Sequence, residues 1–310
     1  MIVLEVRGRL GNQLFRYAAA RRILHDRGDN EQLLLGFHSF LGKDEKDGWR
    51  DWLEDFNVVN YKKTDEIVVP KKGNLLQYLS FYVQYFVKGV FKVMHRKIAK
   101  SNSIYKCLNR IGLLLAYKNN YIYTTPTTKS VLLDGWFENK ENFDSIKDII
   151  QKEFTPKFSP IECNKELYEV IANSNSVCIS IRRGDYFSNP LTKSLHAVCQ
   201  ESYFQKAISL MKEKLENPTF IFFSDDINWV KENIKIGECV CYYERGVDPV
   251  WEKLRLMYSC KHFIISNSSF SWWAQYLSRN ENKIVISPNR WYNDGRTSDL
   301  LDESFIKIEP

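Results

Sequence analysis

The 310-residue sequence contains no window of 18 uninterrupted apolar residues, so no transmembrane helix is expected. Its start lacks a basic stretch leading into a long apolar run, so no signal peptide is expected either. The seven cysteines, at 107, 163, 178, 199, 239, 241 and 260, are odd in number and scattered. Cys239 and Cys241 sit one residue apart, a spacing that suits neither zinc nor a redox pair, and reduced thiols in a cytoplasmic protein are the expectation. Internal repeats and low-complexity segments are absent, as is the Asp-x-Asp spacing of metal-dependent sugar transferases. No metal and no cofactor are therefore expected.

What is present is an ordinary globular composition, 44% hydrophobic and 26% charged, long enough for two domains of about 150 residues. Aromatic residues are plentiful, with 8 Trp, 17 Tyr and 19 Phe, which fits sugar stacking and a packed core equally. The formal net charge is +6 and concentrates between Tyr61 and Asn120, where twelve Lys and Arg face only Asp65 and Glu66. That stripe reads either as the solvated face of helices or as a peripheral contact with the inner membrane surface.

Ile2–Val6 reads as a strand, followed by the glycine-containing turn 8–13 and a helix over Leu14–Leu24 ending near Gly28. Residues 74–98 form an aromatic, amphipathic helical stretch, Val131–Leu133 a short strand, and Phe143–Phe154 a helix. Pro156 and Pro160 mark the boundary between an acceptor-side domain (1–155) and a second domain (161–310). In the second half, strands at 177–181, 219–223, 239–243, 262–266 and 283–287 alternate with helices at 203–215, 228–233, 249–260 and 270–277. This alternation implies parallel sheets with helices on both faces and a cleft at the strand carboxyl ends.

Four segments carry chemistry. Ser180 to Tyr186 places Arg182 and Arg183 directly after a buried strand, where adjacent guanidinium groups call for an anion such as a phosphate. One arginine is expected to reach the ligand, with Arg182 preferred. The other is expected to brace the site, through Asp185. Phe222 to Asp226 ends a strand in a hydroxyl and two carboxylates; Asp225 and Asp226 suit sugar or ribose hydroxyls, or the cap of the next helix. Ile265 to Trp273 runs a strand into small hydroxyl residues opening a helix. Ser268, Ser269 and Phe270 there suit a pyrophosphate, with helix capping as the alternative for each serine. In the turn at 8–13, Gly8 and Gly11 let backbone approach a ligand closely.

The order of these segments resembles the bacterial α-1,2-fucosyltransferase family, glycosyltransferase family 11, over most of the chain. Gly8 to Tyr17, Leu133 to Phe137 with Phe143, Arg182 to Tyr186 with His196, Cys199 and Tyr203, Ser224 to Asp226 with Trp229 and Val230, Ser266 to Trp273, and Pro288 with Trp291 carry it. Residues 40–125 carry little. Two positions depart from the family pattern: Ser180 stands where the family has histidine, and Arg9 where it has glycine.

The resemblance implies an α/β fold of the GT-B type: two Rossmann-like domains, the active site in the cleft between them. It implies inverting, metal-independent transfer of L-fucose from GDP-fucose to a galactoside 2-hydroxyl of an oligosaccharide or surface polysaccharide. The expected catalytic residues are Arg182, Asp185 and Asn12. The expected donor-binding residues are Arg9, Gly11, Ser180, Arg182, Arg183, Asp225, Asp226, Ser268, Ser269 and Phe270. Asp185 and Glu138 are the candidates for a general base, with a reaction lacking any enzymic base as the alternative. The partners are a nucleotide-sugar donor and a glycan acceptor, lipid-linked if the basic stripe meets a membrane; no nucleic acid is expected. The alternatives are a transferase for another nucleotide-deoxysugar and a non-catalytic sugar-binding relative.

Overall fold

Short runs of three to seven residues, most of them apolar, form the strands of this protein, and each half of the chain gathers its strands into a separate sheet. The computed structural model describes all residues except 41, 42, 44–47, 65–78, 80, 81, 85, 91–101, 117–121 and 123, and does not describe the side chains of His38, Thr64, Asn102 and Asp185. The chain divides into two compact units, Met1–Glu153 and Phe154–Pro310.

In the first unit, β1 (Ile2–Glu5), β2 (Leu33–Gly36), β3 (Tyr61–Thr64), β4 (Leu113–Ala116) and β5 (Val131–Gly135) form one parallel sheet in the order β3-β2-β1-β5-β4. Nearly every residue of β1, β4 and β5 is buried, as expected of parallel strands covered on both faces. Helix Leu10–Asp26 buries most of its length, and helix Asn102–Arg110 packs Tyr105 and Leu108 on Leu113, Leu115 and Leu132.

Helix Leu10–Asp26 begins earlier than the sequence suggests, so Gly11, Asn12 and Gln13 form its first turn rather than a loop. The extended residue Arg9 is the N-cap; its carbonyl accepts the amides of Asn12 (3.0 Å) and Gln13 (3.1 Å). The expected helix at 143–154 is a 3-10 turn over Asp144–Ile146 followed by helix Lys147–Glu153. Of the amphipathic stretch 74–98, residues 79, 82–84 and 86–90 are described and are helical; its remaining residues and most of the basic stripe lie outside the described residues. Two stripe lysines that are described are engaged by carboxylates: Lys63 by Asp51 and Glu54, Lys88 by Glu5 and Asp134. Among the described residues no helix is long and apolar enough to cross a membrane.

In the second unit, β6 (Asn175–Ile181), β7 (Pro218–Ser224), β8 (Cys241–Tyr243), β9 (His262–Ile265), β10 (Val285–Pro288) and β11 (Ile306–Ile308) form a parallel sheet in the order β11-β10-β9-β6-β7-β8. Val177, Ile179 and Ile181 face one way, onto Tyr203, Ala207 and Ile208 of helix Glu201–Lys214. Ser180 faces the other way, where its hydroxyl meets Ser271 of helix Ser269–Leu277. The two-proline segment is fastened to this unit. Arg255 of helix Val250–Ser259 donates to the carbonyls of Pro156 and Phe158, and Phe158 packs on Trp251 with ring centroids 4.9 Å apart.

Candidate functional site

Parallel register places the chemistry-bearing residues of the second unit along one edge. Ser180 lies opposite Phe223 and Ile265, and Ile181 opposite Ser224, so the residues that follow all leave the sheet at its carboxyl end. There Arg182 Nη1 lies 2.7 Å from Asp225 Oδ2, with both side chains about one quarter exposed (26%). The other oxygen of Asp225 accepts the backbone amide of Arg183 at 2.8 Å. A Cβ on Gly184 would lie 2.5 Å from Asp225 Oδ2, so this carboxylate position requires glycine at the start of the short helix Gly184–Ser188. Asp225 thus holds one arginine by its charge and the next residue by its backbone.

Arg183 is braced differently. Its guanidinium lies 3.5 Å from the centroid of the Trp229 ring and 4.1 Å from that of Phe187, and its Nε is 4.0 Å from Asp226 Oδ2. Burial pulls its pKa below the ordinary arginine value, with Asp226 and Asp225 opposing. Asp226 also accepts the amide of Trp229 (3.2 Å), capping helix Ile227–Asn233. The structure therefore brings Asp225 and Asp226 to the two arginines. The brace expected from Asp185 falls on a side chain outside the described set.

The serine cluster divides in two. Ser180 Oγ is 2.6 Å from Ser271 Oγ, which is 3.3 Å from Ser266 Oγ, a buried hydroxyl chain tying β6 to β9 and to the helix that follows it. Ser268 is the N-cap of that helix but makes no side-chain cap hydrogen bond. Ser269 and Phe270 open its first turn, half-buried. The positive end of the helix dipole thus lies at the Ser268–Phe270 corner without a side-chain cap from Ser268.

Two organising residues carried no assigned role in the sequence. Asn267, 1% exposed, donates from Nδ2 to the carbonyls of His196 and Trp291, both at 2.9 Å, and its own carbonyl accepts Tyr186 Oη at 3.2 Å. It joins the loops after β6, β9 and β10. Glu244, also buried, accepts the amide of Ser224 at 2.7 Å and pairs with Lys253 at 2.7 Å. Burial raises the Glu244 carboxyl pKa, and Lys253 opposes the rise. The available signal was a polar residue just beyond a strand end; the partners, distant in sequence, gave none.

The first unit carries its own polar edge. Gly8 has φ of 78°, and a Cβ there would lie 2.6 Å from Asn12 Nδ2, so the close approach that glycine permits is to Asn12 itself. Gln13 is buried and secures the turn by donating to the carbonyls of Gly8 (2.9 Å) and Arg50 (2.8 Å). Arg9 lies against Gly48, and Gly11 is buried in the helix.

Asp134, fully buried at the end of β5, has Arg7 at 3.0 Å, Lys88 at 3.2 Å and Arg16 at 3.7 Å. Beyond it, Trp136 is exposed. Phe137 is wholly buried at a φ of 54°, a left-handed conformation costing roughly 1–2 kcal/mol for such a residue. Glu138 is half-buried, and desolvation pushes its carboxyl up to about 7 against the pull of Arg16.

The sequence profile of Glycosyl transferase family 11 matches residues 48–309. The chain is 30% identical to the O-antigen biosynthesis glycosyltransferase WbnK of Escherichia coli, over 97% of this chain and 98% of that protein. It is also 30% identical to an alpha-1,2-colitosyltransferase of Escherichia coli, over 100% and 99% of the two chains. The crystal structure of fucosyltransferase NodZ from Bradyrhizobium superposes with a TM-score of 0.50 at 11% identity, covering 88% of this chain and 91% of that one. That likeness concerns the fold, an α/β architecture of the GT-B type with one parallel sheet per unit. On the family profile and two relatives matched along nearly their full length, this protein belongs to glycosyltransferase family 11.

Proposed function

We propose that this protein transfers L-fucose from GDP-fucose to the 2-hydroxyl of a galactoside, with inversion and without a metal ion. The observation that carries the reading is Arg182, held partly exposed at the carboxyl end of β6 by Asp225. The corner Ser268–Phe270 follows the adjacent strand β9. A diphosphate suits this pair of features: a guanidinium fork for its oxygens and a positive helix end for its charge.

In the transfer, the acceptor oxygen attacks the anomeric carbon while the bond from that carbon to the diphosphate oxygen breaks. The transition state has oxocarbenium character, so the barrier depends on stabilising charge that develops on the leaving phosphate. Arg182 serves as that preorganised clamp. Arg183, immobilised between two aromatic rings, keeps the segment in place; Asp185 and Asn12 complete the proposed catalytic set. A colitosyl donor is the second reading, favoured by the full-length match to a colitosyltransferase.

Calorimetric titration with GDP, UDP and dTDP in the presence of EDTA tests the donor class, and GDP alone is expected to bind. Turnover of GDP-fucose with galactoside acceptors then tests the sugar. Binding of UDP or dTDP in preference to GDP overturns the donor assignment.

A further inference from the structure

The helical residues 79, 82–84 and 86–90 of the first unit present their faces in the reverse of the usual order. The side turned to the protein is held by polar groups. Gln84, 1% exposed, donates from Nε2 to the carbonyls of Ile111 and Ser130, both at 2.9 Å. One turn on, Lys88 reaches Glu5 at 3.3 Å and Asp134 at 3.2 Å. Val87, beside it, packs against the core cluster that includes Val3, Tyr105, Leu108 and Leu113.

The opposite side is apolar and faces outward. Leu79, Tyr82, Val83, Phe86 and Val90 are all exposed, Phe86 at 73%. They recur every three or four residues, which gathers them into one stripe about 100° wide. A Cβ on Gly89, at the margin of that stripe, would meet nothing within 4 Å. A surface helix ordinarily buries its apolar stripe and turns polar residues to water. Here Gln84 and Lys88 fix the helix the other way round, so exposure of the stripe is built into the packing. A continuous apolar patch of this kind marks a surface that meets another apolar phase.

The surroundings select that phase. Lys106 and Arg110 are exposed on the neighbouring helix Asn102–Arg110, which contains no acidic residue. Ile111, whose carbonyl holds Gln84, is itself exposed. In the sequence no Asp or Glu occurs between Glu66 and Asp134. A second copy of this chain would set cations against cations across a two-fold interface. Nucleic acid supplies phosphates but no hydrocarbon for Leu79, Val83 and Val90. A bilayer with anionic headgroups supplies both, hydrocarbon for the stripe and phosphates for the cations beside it.

We propose that the stripe of Leu79, Tyr82, Val83, Phe86 and Val90 is a membrane-docking surface that enters the headgroup region of an anionic bilayer. The helix lies on the bilayer and does not cross it; among the described residues none is long and apolar enough to do so. Docking of this kind is independent of which sugar the protein transfers.

The test is sedimentation of the full chain with vesicles of phosphatidylcholine alone, or of phosphatidylcholine and phosphatidylglycerol in equal parts. Binding to the mixed vesicles is expected to be at least about tenfold tighter than to the neutral ones, and to weaken as sodium chloride rises. Phe86→Ser is expected to weaken it about tenfold or more, with GDP titration and the unfolding midpoint unchanged, whereas Phe86→Trp retains it. Arg110→Glu is expected to weaken it about tenfold. Equal sedimentation with both vesicle types, sedimentation with neither, or undiminished binding by Phe86→Ser overturns the docking surface. Duplex DNA bound more tightly than the mixed vesicles overturns it too. So does a lipid-free dimer that Phe86→Ser splits into monomers in analytical ultracentrifugation, which gives the stripe to a second copy.

Discussion

Both sheets end in cations paired with carboxylates, but the two edges treat charge in opposite ways. In the first unit, Asp134, Arg16 and Glu5 are almost wholly buried and Lys88 is 12% exposed, while Arg7, 35% exposed, joins this network from its solvent side. In the second, the Arg182–Asp225 pair is about one quarter exposed on both sides. A buried network is committed to its own members, because removing any one strands a charge in a poor dielectric. A half-solvated pair gives up little when an incoming anion competes for the guanidinium. The first edge is built to hold positions, the second to exchange partners.

Stability and activity should separate along that line. The largest effect is expected from Asp134→Ala, which leaves three cations with a single carboxylate and costs about 3–5 kcal/mol in urea unfolding. Asp225→Ala, the matched change at the other edge, should cost about 0–1 kcal/mol. Similar losses in the two variants would erase the contrast. Next comes Arg182→Ala, expected to lower the transfer rate about 10²–10³-fold, or roughly 3–4 kcal/mol of transition-state stabilisation, with an unchanged unfolding midpoint. Gly184→Ala drives a methyl group into Asp225 and should weaken GDP binding about tenfold through overpacking of about 1–3 kcal/mol, measured by calorimetry.

A further expected effect is a pH dependence at Glu138. Its folded pKa, about 7, lies above the ordinary carboxylate value of 4.5. Between those values the folded protein retains a proton that the unfolded chain has released, so stability falls as pH rises through this window and levels off above it. Glu138→Gln removes that loss. The variant should gain on the wild type in unfolding midpoint between about pH 4.5 and 7; a constant difference across this range would rule out the raised pKa.

The second unit was largely legible because its strands and helices alternate with clear periods: the expected elements differ by one or two residues at the ends, whereas helices Lys165–Asn173, Gly184–Ser188 and Pro190–His196 and strand Ile306–Ile308 were not foreseen. The first unit was less so. Leu33–Gly36 and Leu113–Ala116 are four-residue runs, and short apolar runs of that kind do not distinguish strand from buried helix. The first turn of helix Leu10–Asp26 was hidden by Gly11 and Asn12, residues with low helix propensity that the Arg9 carbonyl nonetheless draws into it. At the site, residue type identified Arg182, Arg183, Asp225 and Asp226, but not who pairs with whom. The Arg182–Asp225 contact, the stacking of Arg183 on Trp229 and the span of Asn267 are set by strand order, which a single sequence does not print.

The register of β6 carries one more implication. Because Ser180 faces the hydroxyl of Ser271 while Ile179 and Ile181 face the opposite core, the strand tolerates no change in residue count between Val177 and Arg182. Deleting one residue would rotate every following side chain to the other face. Arg182 would then point into packed hydrocarbon, and Arg183 would lose its place between Phe187 and Trp229. Substitutions along this strand therefore keep both arginines in place, whereas insertions and deletions displace them.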